Sequence, residues 1–230
     1  MSLAMGIMIT YGSYMGKKDD LESSVHQIEF FDTLIAFIAG LIIIPAVFAF
    51  SGGDQSVLNS GPSLMFITLP KVFDSMGMGT VIGVTFFLLV LFAALTSAIS
   101  LMETIVSFFE EKTTWGRTKT CIVVAVASMI IAVPSALGFS IWDHIQVWGL
   151  SILDFFDFLS NSVIMPIVAF FTCVFAGYII KPKAIVDEVE SSSKFRSKKL
   201  YTVMIKYIAP IFIIMIFFSS ILKGLGIIDF

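Results

Sequence analysis

Charge is what this chain has least of. Asp, Glu, Lys and Arg make up 13% of its 230 residues, where a soluble domain carries about a quarter. The net charge of −3 offers no basic surface for a nucleic acid. Cysteine and histidine are equally sparse, at two each. Cys121 and Cys173 sit in apolar runs and read as small buried hydrophobes, which excludes a disulfide framework or a Cys/His metal site. His26 and His144 have no companion nucleophile, and no glycine-rich phosphate loop occurs. An enzyme is therefore not expected. Positive charge is also missing ahead of the first apolar run: Lys17 and Lys18 follow it, and no small-residue cleavage pattern appears. A secretory signal would have both.

What is abundant is apolar surface. Hydrophobic residues make up 57%, phenylalanine alone contributes 24, and the mean hydropathy is +0.98. Helices satisfy their own backbone in lipid, so the composition predicts an all-α polytopic membrane protein in a single membrane domain. Five full spans are predicted at 25–50, 80–109, 121–137, 148–180 and 201–225. Residues 1–15 are apolar too, but as a helix they reach only about 22 Å against a hydrocarbon core of about 30 Å. They read as a half-helix, as though the chain began part-way along a span. Pro45, Pro134, Pro166 and Pro210 fall inside spans and predict kinks. Connections 16–24, 110–120 and 181–200 hold eleven Lys and Arg, against two in the alternate set. The first set is thus expected on the cytoplasmic side. Segment 51–79 is expected outside. Its stretch Leu-Met-Phe-Ile-Thr-Leu-Pro-Lys-Val at 64–72 is too short to span, so it either folds back as a lid or lies on the lipid.

Polar residues inside spans are the candidates for function. A carboxylate at a helix centre costs about 2.5–3.5 kcal/mol on insertion scales, so Asp32 either has a partner or lies near an interface. Ala93, Thr96, Ser97, Ser100 and Leu101 share one helical face by their spacing. Hydroxyls and carbonyls are the hard donors an alkali cation takes, and small residues are equally common at helix–helix contacts. Glu103 is expected to face protein or an inner vestibule. Asp154 and Asp157, three apart, put two carboxylates on one face near an outer helix end. The mixed-charge, serine-rich stretch 187–199 reads as a solvated cytoplasmic linker.

These residues carry a resemblance along the whole chain. Ser2-Leu-Ala-Met-Gly-Ile-Met-Ile-Thr-Tyr-Gly-Ser-Tyr14 resembles the second half of the broken sixth helix of the neurotransmitter:sodium symporters. Ala39-Gly-Leu-Ile-Ile-Ile-Pro-Ala-Val-Phe-Ala-Phe50 resembles their seventh helix, and Gly61-Pro-Ser-Leu-Met-Phe-Ile-Thr-Leu-Pro-Lys-Val-Phe73 their outer lid. Phe92-Ala-Ala-Leu-Thr-Ser-Ala-Ile-Ser-Leu-Met-Glu103 resembles the eighth helix, and Asp154-Phe-Phe-Asp-Phe-Leu-Ser-Asn161 the start of the tenth. The likeness is greatest to prokaryotic members with eleven helices. The family is itself a type example of broken-helix, inverted-repeat transporters, so that architecture is implied by the resemblance.

The resemblance implies sodium-coupled uptake of amino acids or related amines across a prokaryotic cell membrane. By matched position, Ala93, Thr96 and Ser97 would contribute to one sodium site, and Asp32 stands where an asparagine of the other is common. Ala36 stands where chloride-independent members can carry glutamate, so Asp32 is expected to supply the compensating charge and chloride is not expected to be required. Ser2, Met5, Gly6, Ser97 and Leu101 would line the substrate site, and Asp157 would be an outer gate. Helices one to five and the first half of six have no counterpart here. The expectation is a truncated chain, inactive alone. The alternative is a non-transporting remnant, or a subunit whose partner is a separately encoded N-terminal half.

Overall fold

The structure is a computed structural model that describes residues 3–50, 64–138, 141–142, 144–192 and 194–224. Among the described residues the regular structure is helical, apart from one isolated bridge between Val147 and Leu150. Among the described residues five helices are long and apolar enough to cross a membrane: Leu21–Ala49, Gly79–Lys112, Arg117–Leu137, Ile152–Ile180 and Lys198–Gly224. The all-α membrane class predicted from composition is therefore the observed one. Four of these helices start earlier than their apolar windows, and the one expected from 148 starts at Ile152. Arg117 and Lys119 already lie in the helix Arg117–Leu137, because a helix continues through charged ends that a hydropathy window leaves out.

The elements, in order, are a 3₁₀ turn Leu3–Met5, α1 Ile7–Tyr14, α2 Leu21–Phe50, α3 Leu69–Asp74, α4 Gly79–Lys112, α5 Arg117–Leu137, α6 Ile152–Asp157, α7 Met165–Val174, α8 Pro182–Ser192, α9 Lys198–Val203 and α10 Ala209–Gly224. Of the stretch read as a linker, residues 187–192 lie in α8 and 198–199 in α9. Helix α8 puts Ile185, Val186 and Val189 on one side, with Val186 buried.

The chain divides into two compact units, one of Met1–Glu22 with Ser100–Phe230, the other of Ser23–Ile99. In the first, α7 is central. It packs against α10, against the Leu3–Met5 turn and against the π-helical stretch Met204–Ile208. Val106 and Thr120 are fully buried there. In the second unit, α3 folds onto the first turns of α4. Phe73 meets Phe86 at 5.4 Å between ring centroids, Phe66 stacks on Phe87 at 6.2 Å, and Leu69 and Val72 are buried. Gly79 permits this: a Cβ there would lie 1.7 Å from the Phe73 carbonyl oxygen.

The prolines act through widened turns. Each of the four π-helical stretches described, Leu64–Thr68, Phe158–Ile164, Phe175–Ile180 and Met204–Ile208, is followed two residues after its end by proline, at 70, 166, 182 and 210. Proline has no N–H, and its ring presses on the carbonyl four residues back. In two of the cases the residue before proline bonds one step further back than in an α-helix. The Met165 N–H donates to the Ser160 carbonyl, and the Ala209 N–H to that of Met204. The wider i→i+5 turn gives the ring room. Pro45 and Pro134 instead lie within uninterrupted α-helix.

Candidate functional site

The first element is broken at Gly6. Leu3–Met5 is a 3₁₀ turn, Gly6 takes φ 85 and ψ −5, and α1 begins at Ile7. That left-handed backbone suits glycine, and Cγ2 of Thr104 would stand 3.2 Å from any Cβ at Gly6. Among the described residues no side chain caps α1, so its first-turn amides face the break without a described capping partner. Thr10 closes the first turn, its N–H donating to the Gly6 carbonyl at 3.0 Å and its hydroxyl at 3.3 Å. Met5 and Gly6 are half-buried. Ser2, expected beside them, lies outside the described residues.

A polar seam joins α1 to the later turns of α4. The Tyr11 and Ser100 hydroxyls share a hydrogen bond of 2.7 Å. Tyr14 donates to Glu103 Oε1 at 2.7 Å and is 3.2 Å from the Ser107 hydroxyl. Arg117, opening α5, closes the network by donating from Nη2 to Glu103 Oε2 at 2.7 Å and from Nη1 to Glu110 at 3.3 Å. Leu101, between Ser100 and Thr104, is half-buried on the turn beside the Gly6 break. Glu103 thus faces protein, as expected. Ser100 is among the candidates the sequence offers; Tyr11, Tyr14, Ser107 and Arg117 are not, although their spacing is readable: Tyr11 and Tyr14 are i, i+3, and Ser100, Glu103 and Ser107 are i, i+3, i+7.

Within the second unit, Ala93, Thr96 and Ser97 lie exposed on α4. The Thr96 hydroxyl donates to the carbonyls of Phe92 and Ala93, both at 3.0 Å, which fixes its rotamer. Asp32 is exposed on α2. The side chains of Thr96, Ser97 and Asp32 offer oxygen atoms alone as possible ligands.

Asp154 and Asp157 divide in role. Ser151 caps α6, its hydroxyl accepting from the Asp154 N–H at 3.2 Å and donating to Asp154 Oδ2 at 2.7 Å. Asp154 is thereby a capping residue. Asp157 accepts from Asn161 Nδ2 at 2.6 Å and stays exposed one turn into the helix.

The sequence pattern of the sodium:neurotransmitter symporter family matches residues 1–226. An uncharacterised sodium-dependent transporter of Haemophilus influenzae is 32% identical over 96% of this chain and 48% of its own length. The uncharacterised sodium-dependent transporter YhdH of Bacillus subtilis is 31% identical over 100% of this chain and 50% of its own. The crystal structure of MhsT in complex with L-phenylalanine superposes with a TM-score of 0.83 at 35% identity, covering 94% of this chain and 48% of that one. The chain thus spans about half the length of the curated relatives it matches.

Proposed function

Because the chain belongs to the sodium:neurotransmitter symporter family, and is a multi-pass membrane protein whose relatives are transporters rather than enzymes, we propose that it supplies half of the core of a sodium-coupled symporter for amino acids or related amines. The observation that carries this reading is the break at Gly6, where unwound backbone and uncapped amides meet a packed helix pair. Uncapped first-turn amides attract a carboxylate, and the MhsT complex with L-phenylalanine favours an amino acid.

In this reading Ala93, Thr96 and Ser97 provide oxygen to one sodium ion carried with the substrate. Asp32 supports a second ion and makes chloride unnecessary. By matched position in the family, Ser2, Met5, Gly6, Ser97 and Leu101 are assigned to the substrate, and Asp157 to the outer gate. The 230 residues alone transport nothing. They require the counterpart of the half of their relatives that they do not match. The alternative, a remnant or a subunit with a separately encoded front half, is favoured by the same half-length coverage. The nucleotide sequence upstream of Met1 separates the two.

The test is binding of labelled L-phenylalanine and other amino acids to this chain joined to such a counterpart. Sodium should be required where potassium does not serve. Thr96→Ala should raise the sodium needed about tenfold, as for loss of one charge-assisted contact. Asp32→Asn should make binding depend on chloride. A variant that binds equally well without chloride defeats that assignment, and binding indifferent to sodium defeats the whole reading.

A further inference from the structure

A groove of about 610 Å³ between the ends of two spans collects four lysines. The span Ile152–Ile180 stops at Lys181, whose left-handed backbone (φ 70) turns the chain into α8. The span Lys198–Gly224 forms the other wall. The groove is lined by Lys181 and Lys183 from the start of α8, Lys198 and Thr202 from α9, and Tyr178 and Lys206 from the two facing π-helical stretches.

Positive charge predominates here. Among the described residues no acidic side chain lines the groove. Of the acids further along α8, Glu190 pairs with Lys198. The first turn of α8 holds no acidic residue, so its positive end adds to the lysines. Lys206 is held in place through its backbone, because the Tyr178 hydroxyl donates to its carbonyl at 2.9 Å. Its side chain starts inside the span, and a lysine there reaches its ammonium toward the headgroup level.

The surroundings decide which anion. Ile179, Ile180, Val203 and Tyr207, next to the groove, are all exposed. Cations at a helix end above exposed apolar side chains match a molecule with a charged head and acyl tails. We propose that this groove binds the phosphate of an anionic phospholipid, the lysines taking the headgroup and the apolar flank the chains.

The experiment uses the full chain in nanodiscs of phosphatidylcholine doped with phosphatidylglycerol, with retained lipid counted by native mass spectrometry. The wild-type protein should retain phosphatidylglycerol over phosphatidylcholine. K183Q/K206Q should weaken retention about 25-fold, at about fivefold per lysine near a membrane surface. K194Q/K199Q, changing lysines of the same region outside the groove, should leave it unaltered. Equal retention of the two lipids overturns the proposal, as does equal weakening by both variants. Displacement of the lipid by millimolar inorganic phosphate would make this a free-phosphate site and also overturn it. The lipid preference and the phosphate competition are read on the wild-type protein, so they decide the matter even if K183Q/K206Q does not fold.

Discussion

Gly6 is the residue on which most depends, for two separable reasons. Its φ of 85 is left-handed, which costs a residue with a Cβ about 1–2 kcal/mol. Thr104 also stands at contact distance from where that Cβ would be. Gly6→Ala should therefore lower stability by about 1–2 kcal/mol, measured by thermal unfolding in detergent. Pairing it with Thr104→Ser, which removes the crowding methyl but not the strain, should recover only part of the loss. The sequence showed Gly6 through the company it keeps in a resembling motif. It could not show Thr104, which is remote in the chain and meets Gly6 only once α1 lies on α4. The same holds for Tyr14 with Glu103 and Arg117: each reads as an ordinary polar residue near a helix end, and only packing turns three of them into a network.

At the scale of the element, prolines were legible and their effect was not. Hydropathy found the spans because burial in lipid is a property of composition. Proline predicted kinks, yet the structure answers with a widened turn before 166 and 210 and with unbroken helix through 45 and 134. The difference lies in what neighbouring helices offer. An α-helix would have the Lys206 carbonyl accept from residue 210, which is proline and has no N–H to give. Tyr178, from the facing stretch, donates to that carbonyl, and buried Gly177 lets the two backbones approach, the Ile205 carbonyl oxygen lying 3.4 Å from a Cβ built there. Tyr178→Phe should destabilise the protein by about 0.5–1.5 kcal/mol, the net worth of a typical intramolecular hydrogen bond. In a Pro210→Ala background, where residue 210 regains its N–H, the same change should cost much less. A double-mutant cycle on chemical denaturation measures the difference, and additive effects would show that the two residues do not share this carbonyl.

For the whole molecule, the exposed surfaces matter most. Thr96, Ser97 and Asp32 are exposed on helices long enough to span a membrane, and in hydrocarbon an exposed carboxylate is costly. These residues make physical sense when another set of helices covers them. We expect the 230-residue chain produced alone to show no sodium-dependent amino-acid binding, and co-production with a front half from a relative to restore it, as read by equilibrium binding in proteoliposomes. Sodium-dependent binding by the chain alone would refute this. The widened turns bear on a different question, that of chain length. An i→i+5 ring holds one residue more than an i→i+4 ring, so each such turn is equivalent to a single-residue insertion absorbed without rotating the helix beyond it. Losing one residue, with the proline replaced by a residue that has an N–H, would close the turn to ordinary helix and leave every flanking side chain on its present face. Helices carrying these turns can therefore differ by one residue between related chains with their packing faces in register, and gaps of that size should collect just ahead of the prolines.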